Sequence, residues 1–223
     1  MGYLNKIVKK PWGYEYLVFE NKKVAIWFLH ILYNQQTSMH CHPNKTTGLI
    51  LLDGHAEISF LTNTISIKSL EKVMIRKGLF HSTKSISRKG ASIFEIETPV
   101  DKHDLVRLED KYGRKAKPYE GKSAESDKGK NDLTIKTLSK DKVYDFANCI
   151  IEVKHINDTS IFNKMHDPQN IIFLDGGILT ESNILVAQAG DVVTVYALKK
   201  LTKLFPKVDR NTKIMIINSN GKL

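Results

Sequence analysis

The chain has few cysteines, few aromatic residues and no long apolar run. Its two cysteines, Cys41 and Cys149, are too few for a disulfide framework and are typical of a reducing compartment. No stretch approaches the roughly 20 apolar residues of a membrane span, and the N-terminus has no apolar segment typical of a secretory signal. We therefore expect a soluble, cytoplasmic protein with no membrane partner.

Arginine is also scarce, although the chain is basic. The formal net charge is +10, with 34 Lys and Arg residues against 24 Asp and Glu residues. Lysine supplies most of the positive charge and is scattered, whereas arginine is the residue that reads base edges and clamps phosphates. Helix-turn-helix, zinc-finger and RNA-recognition signatures are absent from the sequence. We therefore expect an anionic small-molecule substrate and no nucleic-acid partner.

Short runs rich in β-branched and aromatic residues recur between residues 24 and 97, separated by turn residues. This spacing, without a long helical period, predicts an all-β sandwich or barrel. The composition becomes polar, with Gly, Ser and Lys, between residues 115 and 132, and strand-like runs then return. We expect a first domain at 1–121, a linker at 122–132 and a smaller β-domain at 133–223, with short helices at 143–147 and 198–205.

The two halves share a short internal echo. Residues 50–54 read ILLDG and residues 172–176 read IFLDG, and each run follows a Met-His pair at a similar distance. Each run is an apolar strand that ends in an Asp-Gly turn. The echo indicates that the second domain is a degenerate copy of the first.

Three histidines form the candidate metal site. His40 and His42 stand two residues apart in a segment expected to be extended, so their side chains lie on one face. His81 follows a Lys-Gly turn, and a later strand of the same barrel brings it beside the first pair. Imidazole is a good ligand for Zn, Fe, Mn and Ni, so these residues predict a divalent metal ion of one of those kinds.

The arrangement of His40, His42, Gly54 and His81 resembles the metal-binding motifs of the cupin superfamily. In cupins a glutamate stands seven residues before the glycine, and in this chain that position holds Thr47. The resemblance implies a jelly-roll, or double-stranded β-helix, barrel. The departure at Thr47 leaves three neutral imidazoles without the usual carboxylate ligand.

Three further segments resemble one branch of the cupins more specifically. Residues 10–15 read KPWGYE, residues 94–99 read FEIETP, and residues 104–114 read DLVRLEDKYGR. Their order and sequence resemble the cupin domain of type II phosphomannose isomerase and mannose-1-phosphate guanylyltransferase. The resemblance covers residues 10–114, about half of the chain, and residues 133–223 resemble no family that we can name.

The resemblance implies a metal-dependent enzyme of carbohydrate metabolism, isomerase-like or epimerase-like, in surface polysaccharide synthesis. Its substrate is then a sugar phosphate or a nucleotide sugar, and cupins commonly form homodimers through their sheets. Two alternatives stay open. A site of three histidines without a carboxylate resembles that of non-haem iron dioxygenases, and a cupin that has lost its metal could bind a sugar without catalysis.

Isomerisation needs a base beside a carbonyl group and cations that hold the anionic end of the substrate. The candidate catalytic residues are Glu95, Glu97 and Glu57, of which the first two share one face of a strand. The candidate substrate-binding residues are Lys10, Arg76 and Arg107.

Overall fold

A computed structural model of the chain describes residues 3–114, 122–138, 142–166 and 169–221. The chain divides into two compact units, Met1–Ile135 and Lys136–Leu223, called here the N-terminal and the C-terminal unit. Within the described residues, no helix combines the length and the apolar character needed to cross a membrane.

The described part of the N-terminal unit is built almost entirely from strands that pair antiparallel. In chain order they are β1 (Lys6–Lys10), β2 (Gly13–Glu20), β3 (Ala25–Ile31), β4 (Met39–Cys41), β5 (Thr46–Asp53), β6 (His55–Phe60), β7 (Thr64–Lys68), β8 (Lys72–Ile75), β9 (His81–Ser85), β10 (Ala91–Thr98), β11 (Val106–Glu109) and β12 (Glu125–Asp127).

These strands form two sheets. One has the order β12-β1-β2-β3-β10-β5-β8 and the other has the order β11-β4-β9-β6-β7. Apolar side chains from both sheets form one core cluster, in which Trp27, Leu49 and Ile93 of the first sheet join Ala56 and Ile58 of the second. The jelly-roll barrel expected for the first domain is confirmed.

The central strands β3, β5 and β10 are buried on both faces, which explains why they read as nearly continuous apolar runs. On β10, Ala91 and Ile93 belong to the core cluster inside the barrel. Because side chains alternate along a strand, Glu95 and Glu97 lie on the same interior face, and both are buried. Two carboxylates therefore replace apolar residues at one end of the barrel interior.

Residues 122–132, expected to form a linker, contain a turn and a paired strand. Residues Lys122–Ala124 form a 3-10 turn, and β12 pairs antiparallel with β1, Lys6 lying opposite Asp127. A short polar segment extends a sheet edge in this way because backbone hydrogen bonds need no apolar side chains. The N-terminal unit consequently continues to Ile135, whose N–H donates to the carbonyl oxygen of Val18.

The described part of the C-terminal unit combines strands with two short helices. In chain order they are β13 (Lys142–Phe146), β14 (Cys149–His155), α1 (Ser160–Asn163), β15 (Gln169–Asp175), β16 (Gly177–Leu179), β17 (Leu185–Gln188), β18 (Val192–Thr194), α2 (Val195–Leu204), β19 (Lys207–Val208) and β20 (Lys213–Ser219).

Two sheets enclose the core of this unit. One has the order β13-β14-β20-β15-β18, and the other has the order β17-β16-β19. Ile171, Phe173 and Ile216 of the first sheet pack with Ile178 of the second and Leu198 of α2. The helix expected at 198–205 is present as α2. Residues 143–147 are not helical, because β13 pairs along its length with β14.

The two units share one topology. The order β13-β14-β20-β15-β18 repeats β2-β3-β10-β5-β8 strand for strand, and β17-β16-β19 repeats β7-β6-β9. The Asp-Gly turns that the sequence echo singled out join equivalent strands: Asp53 ends β5, and Asp175 ends β15. The C-terminal unit is therefore built as a reduced, cupin-like copy of the N-terminal barrel.

Candidate metal centre

Three imidazoles meet at one end of the N-terminal barrel. His40 lies on β4, His42 follows directly after it, and His81 begins β9, where it pairs in register with His40. The ring centroids are 5.0 Å apart for His40 and His42, 4.4 Å for His40 and His81, and 5.7 Å for His42 and His81. The structure brings together all three histidines that the sequence predicted.

The imidazoles are held in one tautomer. Each gives its Nδ1–H to a backbone carbonyl oxygen: His40 to Ser38 at 2.8 Å, His42 to Asp104 at 2.6 Å and His81 to Leu79 at 3.0 Å. A carbonyl oxygen accepts only, so Nδ1 carries the proton and Nε2 carries the lone pair. The Nε2 atoms of His42 and His81 are buried and have no hydrogen-bond partner. Buried lone pairs of this kind are well suited to a metal ion.

A carboxylate joins the histidines. The candidate ligand atoms of His40, His42, His81 and Glu95 all lie within 4.8 Å of one another. Donor atoms that bind one ion at about 2.0–2.2 Å lie roughly 3–4.4 Å apart, so a modest movement of the side chains lets all four reach one ion. The donor set and its geometry therefore fit a divalent transition metal.

Burial keeps the histidines neutral. It lowers the pKa of His81 to about 4, and it lowers the pKa of His42 as well. The pKa of His40 falls far below its usual value, first because of burial and then because of the neighbouring His81 and His42. A neutral imidazole is the form that binds a metal, so the site is ready for a cation at neutral pH.

Glu95 takes the place of the carboxylate missing at Thr47. On β5 and β10, Thr47 lies opposite Glu97, and Leu49 lies opposite Glu95. The carboxylate thus comes from the neighbouring antiparallel strand, because both strands turn these positions toward the barrel interior. The expectation of a site without a carboxylate was based on one strand alone, and the pairing of β10 with β5 could not be seen from the sequence.

The histidines open into a cavity of about 70 Å³ whose lining is strongly charged. Its cationic lining residues are Lys10, Lys45, Lys102, Arg107 and Arg114. Its acidic lining residues are Glu15, Glu95 and Glu97. Since the cations outnumber the carboxylates and the histidines are neutral, the cavity favours an anionic ligand.

Buried ion pairs organise these charges. Lys45 Nζ lies 2.7 Å from Glu97 Oε1, and both side chains are almost completely buried. Lys102 Nζ lies 2.9 Å from Glu15 Oε1 and 3.5 Å from the Trp27 ring centroid. Burial and, after it, the neighbouring Glu97 raise the pKa of Glu95 to about 7, although Lys102 opposes the rise. Glu95 therefore exchanges its proton near neutral pH while the site holds no cation.

The structure separates the predicted substrate-binding and catalytic residues into two groups. Lys10, Arg107, Glu95 and Glu97 line the cavity. Arg76 is exposed in the turn that follows β8, and it does not reach the cavity. The structure likewise leaves Glu57 outside the cavity, on β6, where it lies opposite Ser66 and Lys84.

Sequence reasoning missed four charged residues of the cavity. Glu15 shares the interior face of β2 with the core residue Leu17, so the alternation along β2 could have indicated it. Lys45, Lys102 and Arg114 follow no pattern of that kind, since they lie at a strand boundary or in loops.

Comparison with known proteins identifies a family for the N-terminal unit. Residues 3–110 match the family model described as the C-terminal domain of mannose-6-phosphate isomerase. The N-terminal unit is a cupin domain. The match ends within the segment DLVRLEDKYGR, and no curated protein matches the chain.

Solved structures similar to this chain include a protein with a double-stranded β-helix domain, KdgF and a cupin domain. One is an uncharacterised conserved protein from Klebsiella pneumoniae, 15% identical, covering 43% of this chain and 79% of its own, with a TM-score of 0.40. KdgF from Halomonas is 10% identical, covering 41% and 84%, with a TM-score of 0.39. The cupin domain of Schizosaccharomyces pombe Cnp3 is 12% identical, covering 39% and 64%, with a TM-score of 0.37.

Proposed function

We propose that the cupin domain binds one divalent transition-metal ion through Nε2 of His40, His42 and His81 and the carboxylate of Glu95. One observation carries this proposal: three imidazoles converge beside a buried carboxylate with every Nδ1 proton already given to a backbone carbonyl oxygen. Arranging buried polar groups in this way without a ligand would leave the lone pairs of His42 and His81 without compensation.

The donor set limits the metals that would bind. Three nitrogen donors and one oxygen donor suit Zn, Fe, Mn and Ni, and they do not suit Ca or Mg, which prefer oxygen ligands. The dioxygenase alternative rested on the lack of a carboxylate, and Glu95 supplies one. We therefore favour a sugar isomerase or epimerase over an iron dioxygenase.

The substrate that we propose is an anionic sugar derivative, either a sugar phosphate or a nucleotide sugar. The cations Lys10, Arg107 and Arg114 line the same cavity as the histidines, and the arginines are suited to bidentate contacts with phosphate oxygens. The family match to a mannose-6-phosphate isomerase domain supports the same substrate class.

Glu97 is the residue that we assign to proton transfer. Its carboxylate is buried and held at 2.7 Å by the Lys45 ammonium group, and Glu95, two residues away on the same face, is occupied as a metal ligand. In aldose–ketose isomerisation Glu97 would take the proton from C2 and return it to C1, while the hydroxyl proton moves from O2 to O1. A bound divalent ion supplies a Lewis acid that polarises the carbonyl oxygen.

Elemental analysis of protein purified without chelator tests the metal proposal. We expect about one metal ion per chain in the wild type and none in a His40→Ala/His42→Ala double variant. His155→Ala/His166→Ala is the matched control, since it removes two histidines of the C-terminal unit and should keep the metal. Wild-type protein that stays metal-free after incubation with Zn, Fe, Mn and Ni would overturn the proposal.

The activity is tested with mannose 6-phosphate as the probe. We expect metal-dependent isomerisation that falls at least about 100-fold in Glu97→Gln, because the base is lost while the shape of the side chain is kept. Oxygen consumption by an iron-loaded protein would favour the dioxygenase alternative. Ligand binding without turnover in the metal-loaded protein would favour a sugar-binding cupin.

A further inference from the structure

Residues 104–114, called here the closing segment, lie along the outer edge of β4, the strand that carries His40. Its strand β11 pairs with β4, so that Val106 lies opposite Cys41 and Arg107 lies opposite His40. The sequence singled out this segment, but of its residues the proposed function uses only Arg107 and Arg114. Two further polar residues of the segment, Asp104 and Tyr112, contact the chain on either side of β4.

Asp104 fastens the closing segment to the residues that follow His42. Its Oδ2 accepts the backbone N–H groups of Asn44 and Lys45, each at 2.9 Å, and its Oδ1 accepts the Asn44 side-chain amide at 3.0 Å. Burial alone would raise the pKa of Asp104, but these hydrogen bonds and the Lys45 charge hold it below its usual value. The group is therefore an ionised carboxylate that closes a loop around His42.

Tyr112 fastens the closing segment at the other end of β4. Its hydroxyl group donates to Gln35 Oε1 at 2.8 Å and accepts the backbone N–H of Gln36 at 3.3 Å. This end has no hydrogen bond to a candidate metal ligand among those that the structure describes for Tyr112. Of the hydrogen bonds described for these two residues, only those of Asp104 therefore include a candidate metal ligand, His42.

We propose that Asp104 is a positioning residue for the metal ligand His42. The backbone carbonyl oxygen of Asp104 accepts the Nδ1–H of His42 at 2.6 Å, and the side chain of the same residue anchors that carbonyl to the turn after His42. Asp104 thereby fixes both the tautomer and the ring orientation of His42. The metal-binding consequence rests on the proposed function, whereas the hydrogen bond to His42 does not.

The hydrogen bonds between Asp104 and Asn44 allow a swap that keeps the total charge. Asn44→Asp places two carboxylates together, whereas Asp104→Asn keeps its side-chain partner when the Asn44 amide turns over and its oxygen accepts the new amide N–H. The double variant Asn44→Asp/Asp104→Asn restores one donor and one acceptor, and the amide oxygen introduced at position 104 still accepts both backbone N–H groups. The swap therefore separates the hydrogen-bond pattern from the identity of either residue.

The first readout is the affinity for Co²⁺, with the visible absorption spectrum of the bound ion. We expect Asn44→Asp to lose about 10–100-fold in affinity, as is usual when the partner of a metal-ligating histidine is disturbed, with an altered spectrum, and Asp104→Asn to lose less. The double variant should return to within about threefold of the wild type. An Asn44→Asp variant that keeps wild-type affinity and spectrum, with only a lower melting temperature, would show a purely structural role and overturn the proposal.

The second readout needs no metal. In ¹⁵N-histidine-labelled protein, the Nδ1–H signal of His42, assigned by its loss in His42→Ala, should be visible in the wild type. It should vanish in Asn44→Asp and return in the double variant. Tyr112→Phe is the matched control: it removes two hydrogen bonds of the same segment and should leave the His42 signal in place. If the wild type binds no Co²⁺, the metal proposal fails, and this readout still decides the role of Asp104.

Discussion

The N-terminal and C-terminal units follow one topology, and only the N-terminal unit carries a charged interior among the residues that the structure describes. Their equivalent strand pairs can be aligned from the Asp-Gly turns. Leu49 lies opposite Glu95 in the first unit, and Ile171 lies opposite Ile216 in the second. The proposed ligand Glu95 therefore corresponds to the buried apolar residue Ile216.

The next interior position repeats the contrast. Glu97 lies opposite Thr47 in the N-terminal unit, and Asn218 lies opposite Gln169 in the C-terminal unit. The strand β4, which carries His40, has no counterpart among the described residues of the second unit. The described residues between β14 and β15 form α1 and its flanking turns instead. The barrel topology thus persists without the site, because it depends on the apolar interior and not on the ligands.

The contrast shows that the charges of the N-terminal unit depend on one another. Glu95 is tolerated in the interior since Lys102 and Lys45 lie close enough to oppose the rise of its pKa, while Ile216 belongs to an apolar core cluster. A buried charge costs several kcal/mol unless partners compensate it. Without Lys102 and Lys45 the buried carboxylate would destabilise the fold, so the loss of these lysines would favour the loss of Glu95 as well.

The largest expected effect comes from placing a carboxylate in the C-terminal unit at the position equivalent to Glu95. Ile216→Glu places a carboxylate in the apolar interior of the C-terminal unit and should lower its free energy of unfolding by about 3–5 kcal/mol. Ile216→Leu, the control, should cost less than about 1.5 kcal/mol. Urea unfolding followed by circular dichroism measures both. An unchanged midpoint for Ile216→Glu would mean that this interior tolerates charge as well as the N-terminal one does.

A middle-sized effect concerns Glu95 in metal-free protein. Its pKa of about 7 in the folded state exceeds the ordinary value of 4.5, so between these two pH values the folded state binds more protons than the unfolded state. Proton binding by Glu95 therefore stabilises the folded state at low pH, and this stabilisation is lost as the pH rises through 7. The free energy of unfolding of Glu95→Gln, relative to that of the wild type, should therefore increase by about 1–3 kcal/mol as the pH is raised from 5 to 8.

The fluorescence of Trp12 and Trp27 can follow this change, because both tryptophans lie in the N-terminal unit. Urea unfolding at each pH then gives the difference between variant and wild type. Glu57→Gln, outside the cavity, is the control and should show no such gain. A Glu95→Gln variant whose advantage is the same at both pH values would contradict the assigned cause.

The smallest effect concerns α2, which the C-terminal unit inserts between β18 and β19. Thr194 caps this helix, since its Oγ1 accepts the N–H of Ala197 at 3.3 Å. Thr194→Ala should lower the free energy of unfolding by about 1 kcal/mol, and Thr194→Ser should restore most of it because the hydroxyl group remains. Thermal unfolding by circular dichroism checks this, and metal content should stay at the wild-type level in both variants.

Much of the N-terminal domain was predictable because its signals are local. The spacing of His40 and His42, with His81 after its turn, identified three candidate ligands, and the pairing of His40 with His81 confirms that they meet. The Asp-Gly echo likewise predicted the repeated topology. The segment at 122–132 was misjudged, since a polar strand at a sheet edge has no apolar pattern to reveal it.

The sequence by itself determined the strand-rich character of both halves and the side on which each interior residue points, because alternation along a strand is a local property. Only the tertiary structure decided which strands are neighbours. That decision brought Glu95 to the histidines in place of Thr47, placed Lys102 beside Glu15, and set the carbonyl oxygen of Asp104 on His42. These contacts join residues far apart in the chain, and no local pattern encodes them.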